Sequence, residues 1–113
     1  WGTGSPKREF VYSENMAAAC LYLMEETEEK VFAHKPCLFN IGSGNEMSIK
    51  ELAEFISRVL GYSGTLTWNT EKPDGTPRKL LDMSRWSGFA WKPRVSMEEG
   101  IRLAYADFQK RFP

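Results

Sequence analysis

Cysteine and histidine are scarce in this chain: Cys20, Cys37 and His34 are all it has in 113 residues. A zinc centre built from Cys and His ligands is thereby excluded, and so is a disulfide-stapled secreted scaffold. Cys20 falls in a helical pattern and Cys37 opens an apolar run, so both are expected as buried free thiols in a reducing, cytoplasmic setting. Charge of one sign is also missing, because 15 basic residues balance 15 acidic ones. No global field draws the chain to nucleic acid or to an anionic membrane, and any anion site must be local. No run of 18 apolar residues exists, which excludes a transmembrane helix, and no signal peptide is visible. The first residue is Trp1 rather than Met, and "WGTGSPKREF" reads as mid-chain, so a segment of a longer protein is expected.

Aromatic residues are plentiful: four Trp, four Tyr and seven Phe imply a folded domain. "REFVYS" (8–13) reads as a short strand, and Ser13 as the N-cap of a helix through "ENMAAACLYLMEETEEK". In that helix Met16, Cys20, Leu23 and Met24 form the expected apolar stripe, with Glu25, Glu26, Glu28 and Glu29 at a solvated, fraying end. "CLFNIG" (37–42) reads as a buried strand. Ser48 and Glu51 make a capping box for a helix that carries Ile49, Leu52, Ala53, Ile56 and Leu60 on one face and stops at Gly61. "TLTWN" (65–69) alternates like a strand. "MSRWSGFAWKP" is too short and Gly-broken for a long helix. Ser96 and Glu99 open the last helix, with Ile101, Leu103, Ala104, Tyr105 and Phe108 expected to be buried. Strand, helix, strand, helix, strand, loop, helix is an α/β or α+β order in one domain over 1–113.

Chemistry-bearing motifs are thin. Gly42-Ser43-Gly44 sits between a strand and a helix, where a dinucleotide fingerprint belongs, but Met47 occupies the third glycine's place, so a tight turn is the better reading. No Tyr is followed four residues on by Lys, and G-x-S-x-G, Walker and H-E-x-x-H sequences are absent. By itself the chain lacks the groups for catalysis. What remains is binding. "EKPDGTPRKLLD" (71–82) holds Lys72, Arg78 and Lys79 beside a rigid Pro73-Asp74-Gly75 turn, with Leu80 and Leu81 expected to anchor it to the core. Arg and Lys together suit phosphate oxygens, and the indole of Trp1 could cover a base or sugar. The plainer reading is a set of exposed surface charges.

"WGTGSPKREFVYSENMAAA", "FNIGSGNEMSIKELAEFISRVLGYSG", "KPDGTPRKLLD" and "WKP…SMEEGI" together resemble the C-terminal part of the GDP-L-fucose synthase family, a branch of the extended short-chain dehydrogenase/reductases. The likeness covers nearly the whole chain in order. It implies the substrate-binding region of such an enzyme without its Rossmann part. The implied reaction takes GDP-4-keto-6-deoxy-D-mannose to GDP-L-fucose by epimerisation at C3 and C5 and NADPH reduction at C4. It also implies that NADPH and the catalytic residues belong to an N-terminal Rossmann domain, this chain's intramolecular partner, and that this chain binds no cofactor. Trp1, Arg8 and Lys79 match the family's substrate contacts and inherit that role by resemblance. Cys20, Cys37 and His34 do not match its acid–base pair. "VYSEN", Asn69 and "GFAW" depart from the family pattern without touching those three positions. A detached segment would expose apolar surface and invite self-association. The alternatives are a free-standing nucleotide-sugar or protein-binding module without catalysis, and a segment of another nucleotide-sugar epimerase or dehydratase.

Overall fold

Helix α3, Ile49–Leu60, shows most directly how local sequence sets structure here. A computed structural model describes residues 1–113. In it the Ser48 hydroxyl accepts from the Glu51 N–H at 3.1 Å, and the Glu51 carboxylate accepts from the Ser48 N–H at 2.7 Å. Two of the helix's orphan donors are thus satisfied reciprocally. Gly61 closes the helix in the left-handed region, at φ 67°, where a side chain would be strained.

Ahead of it run strand β1 (Lys7–Glu9), helix α1 (Ser13–Glu25), a single-turn helix α2 (Glu28–Phe32) and strand β2 (Glu46–Ser48). After it come strand β3 (Arg78–Lys79), a 3-10 turn at Ser84–Trp86 and helix α4 (Met97–Arg111). The three strands form one small sheet in the order β2-β1-β3. β1 pairs antiparallel with β2, Arg8 opposite Met47, and parallel with β3, Lys7 opposite Arg78 and Arg8 opposite Lys79. This is the mixed α/β arrangement expected.

Several expectations fail in detail. β1 ends at Glu9 rather than continuing to Ser13, and Tyr12 is the N-cap of α1, with no side-chain cap bond. Residues 37–42 form no strand, and side chains rather than a neighbouring strand meet their carbonyls. Trp86 Nε1 donates to the Asn40 carbonyl at 2.7 Å, and Arg85 Nη1 to the Leu38 carbonyl at 2.7 Å. Residues 65–69 form no ladder either; the Asn69 carbonyl accepts from the Gly2 N–H at 2.7 Å and from the Lys72 N–H at 3.4 Å.

α1 has the expected helical period but buries a different face. Asn15 and Ala19 are buried, Tyr22 and Glu26 half-buried, and Met16, Cys20 and Met24 exposed. Tyr22 turns that face towards Trp86, Phe89, Phe39 and Trp91, an aromatic cluster with ring centroids 4.8–6.4 Å apart. Glu26 is held rather than frayed: it accepts from Tyr22 Oη at 3.0 Å and from Lys30 Nζ at 2.8 Å. The Lys30 bond keeps its carboxyl below the ordinary range. Cys20 and Cys37 are both exposed, contrary to the burial habit of free thiols. In α4 only Gly100 is buried, against Tyr12, and Leu103, Tyr105 and Phe108 lie open.

The accessible surface is 8443 Å², against about 6300 Å² for a compact monomer of this mass. The radius of gyration is 17.3 Å, where about 13 Å is usual for this length. The surplus is substantially apolar, with Met16, Leu21 and Met24 of α1 and Phe108 of α4 among the exposed side chains. No helix is long and apolar enough to cross a membrane.

Candidate nucleotide-sugar site

The loop over 69–82 is exposed throughout, and its anchors are polar. At its turn Asp74 accepts from the Thr3 N–H at 2.8 Å and from the Thr3 hydroxyl at 2.6 Å, with the Ser5 hydroxyl at 3.4 Å. The Thr3 bonds hold the Asp74 carboxyl below the usual carboxylate range. The two Gly/Pro-rich turns of the sequence, 2–6 and 73–77, are thereby one structural unit. Gly4 is required within it: at φ 76° it faces the Trp68 ring, which a Cβ would meet at 2.7 Å. Further on, Lys7 N–H donates to the Pro77 carbonyl at 2.8 Å, and Arg78 and Lys79 pair with β1. Leu81 N–H donates to Glu9 Oε2 at 3.1 Å, and the Asp82 carbonyl accepts from Asn40 Nδ2 at 3.1 Å. Leu80 and Leu81, expected as core anchors, are 40% and 46% exposed. Carboxylates and backbone bonds hold the loop instead.

The pleat sorts the cations. Cross-strand partners share a face of a sheet and successive residues alternate. One face carries Lys7, Arg78, Glu9 and Glu46. There Glu46 accepts from Arg78 Nε at 2.7 Å and lies 3.9 Å from Lys7 Nζ. The Arg78 bond lowers the Glu46 pKa and raises that of Arg78. The opposite face carries Arg8 beside Lys79, with Met47 as the third member of the row. Neither of those two cations lies within ion-pair distance of a carboxylate. Arg8 Nη1 donates to the Lys7 carbonyl at 2.6 Å, and its Nη2 lies beside Gly75.

Of the three residues singled out in the sequence, two are brought together, Arg8 and Lys79. Trp1 is 83% exposed at the start of the segment that Asp74 ties down, and neither of those two cations lies over its ring. The sequence did not point to Glu46, Glu9 or Asp74 as the anchors. Glu46 precedes the capping Ser48 by two residues, and only the sheet register brings it to Arg78. An apolar cavity of about 500 Å³ lies elsewhere, between the chain after β1, α3 and α4, lined by Phe10, Leu52, Ile56, Ile101 and Ala104 among others.

The Gly42–Gly44 turn does not suit a dinucleotide phosphate. Gly44 N–H donates to Glu9 Oε1 at 2.6 Å, so an anionic side chain already holds the amide a phosphate would need.

The small mixed sheet thus carries a basic pair on one face, and the Gly42–Gly44 turn is already occupied by a carboxylate. Residues 1–42 match the NAD dependent epimerase/dehydratase family. Curated relatives of nearly the whole chain include GDP-L-fucose synthases. It is 44% identical over 93% of its length to GDP-L-fucose synthase 1 of Arabidopsis thaliana, covering 31% of that protein. It is 42% identical over 99% of its length to GDP-L-fucose synthase of Escherichia coli, covering 37%. Among solved structures, the GDP-mannoheptose C4 reductase of Campylobacter jejuni with NADP bound superposes with TM-score 0.80 at 35% identity, over 96% of this chain and 33% of that one. The chain thus spans about a third of the length of the relatives it matches.

Proposed function

We propose that this chain is the substrate-binding, C-terminal region of a GDP-L-fucose synthase that converts GDP-4-keto-6-deoxy-D-mannose to GDP-L-fucose. One observation carries the assignment: Arg8 and Lys79 are like-charged cross-strand neighbours without a carboxylate. Two cations facing each other across a ladder repel, whereas an anion lying between them converts the repulsion into two charge-assisted contacts. A diphosphate supplies that anion. Trp1, on the adjoining turn, offers a flat apolar face to the nucleotide or sugar. NADPH and the acid–base residues belong to the remainder of the complete enzyme, consistent with the NADP found in the Campylobacter jejuni relative. That remainder is also the partner for which the exposed apolar faces of α1 and α4 are suited; a second copy of the chain would compete for the same faces.

The test is GDP binding to the complete protein. Arg8→Ala and Lys79→Ala should each weaken it about tenfold, the worth of one charge-assisted hydrogen bond. Unchanged affinity in both overturns the site. The Campylobacter jejuni likeness favours a second reading, a GDP-sugar reductase without epimerisation. Turnover of GDP-4-keto-6-deoxy-D-mannose to GDP-L-fucose by the complete protein decides between them.

A further inference from the structure

The strand that presents Lys79 is only two residues long, and its loop makes no use of a hydrophobic anchor. Something else must set its register. Lys7 and Arg78 are direct cross-strand partners of like charge, a pairing that disfavours the ladder. Glu46 lies between them from the third strand, 2.7 Å from Arg78 Nε and 3.9 Å from Lys7 Nζ. One carboxylate therefore turns a repulsive pair into an attractive triad. It does so on the face opposite Arg8 and Lys79, so it leaves their charge uncompensated.

We propose that Glu46 is a positioning residue for the diphosphate of the nucleotide sugar: it neutralises Lys7 and Arg78 on one face of the sheet, fixes β3 against β1, and so holds Lys79 beside Arg8 on the other. The inference rests on the reading of Arg8 and Lys79 as the anion site. It answers a question the sequence raises, namely why "PRK" carries two adjacent cations. Arg78 is the structural one and Lys79 the binding one. An exposed ion pair adds little to the stability of a whole protein, so the effect of losing it is local. The melting temperature should move little while ligand affinity falls.

The experiment is a set of GDP dissociation constants on the complete protein, with KM and kcat for the nucleotide-sugar substrate. Lys79→Ala should weaken GDP about tenfold, and Glu46→Gln about fivefold, because the cation is displaced rather than removed. KM should rise with Glu46→Gln far more than kcat falls. Added to Lys79→Ala, Glu46→Gln should change affinity less than about twofold, since the two act through one contact. The exchange Glu46→Arg with Arg78→Glu restores the pair with its ends reversed and should recover most of the lost affinity. Should Glu46→Gln fold poorly, Arg78→Gln removes the same pair from the other end. If Lys79→Ala weakens GDP but Glu46→Gln and Arg78→Gln do not, the positioning role is overturned and the site stands. Additive losses, or an exchange that lowers affinity further, also overturn it. An unaltered Lys79→Ala protein overturns the positioning role, and unaltered affinity in Arg8→Ala as well overturns the site with it.

Discussion

Replacing Asn15 by Ala probes the joint on which the chain after Trp91 depends. Asn15 is buried in the first turn of α1. Its Nδ2 donates to the Val95 carbonyl at 2.8 Å, and its Oδ1 accepts from the Arg94 and Val95 N–H groups at 3.0 and 3.1 Å. Three hydrogen bonds from one side chain thus dock the segment that leads into α4. At about 1 kcal/mol each the set contributes about 3 kcal/mol. Arg94 is exposed and Val95 half-buried, so water replaces part of the loss at the Arg94 amide, leaving about 2 kcal/mol. That is about 30-fold in the local opening equilibrium. Amide hydrogen exchange on the complete protein reads it directly: protection at Arg94 and Val95 should fall about 30-fold while the interior of α3 stays unchanged. Asn15→Asp, which keeps both acceptor bonds but sets a carboxylate against the Val95 carbonyl, should fall as well. Protection at those two amides that drops less than about threefold, or drops equally throughout, would refute the reasoning.

Ser48→Ala removes the N-cap of α3 and should cost about 1 kcal/mol, seen as faster exchange at the Glu51 amide. Gly4→Ala asks Ala to adopt φ 76° against the Trp68 ring and should destabilise by about 2 kcal/mol or more, read by thermal melting. Acid should loosen the loop first. The pKa values of Asp74, Glu46 and Glu51 are depressed in the fold, by Thr3, Arg78 and the Ser48 N–H respectively. A depressed carboxylate stabilises fully above its unfolded pKa, about 4, and the contribution disappears as pH falls through the lower folded value. Exchange at the Thr3 amide, followed from pH 6 downward, should accelerate below about pH 4, after allowance for the intrinsic rate; a Thr3 amide equally protected at low pH contradicts the Asp74 anchor.

The local signals were legible wherever one segment contained both partners. The Ser48 box, the Gly61 stop and the Ser96 cap are satisfied within a single turn of helix. The reading of "PRKLLD" as a binding element rests on its residue types and its resemblance to a family, and it stands as a proposal. The segments misread as strands, 37–42 and 65–69, had suitable side chains, but their backbone partners were decided by Arg85, Trp86 and Gly2 from elsewhere in the chain. The apolar stripe of α1 was misplaced because Met16, Cys20 and Met24 looked more core-like than Asn15 and Tyr22. The Asn15 amide is buried at no net cost only because two distant N–H groups and a carbonyl meet it.

By itself the sequence determined the N-caps of α3 and α4, the Gly61 stop, the mixed α/β character and the three residues proposed to meet a nucleotide sugar. Tertiary structure alone decided which cations remain available. Lys7, Arg8, Arg78 and Lys79 are alike as charges in the sequence, and the pleat of a three-stranded sheet divides them. Two fall on the side where Glu46 neutralises them, and two on the side with no acid. Register sets that division, and register depends on contacts between residues about 70 positions apart, such as Thr3 with Asp74 and Glu9 with Leu81.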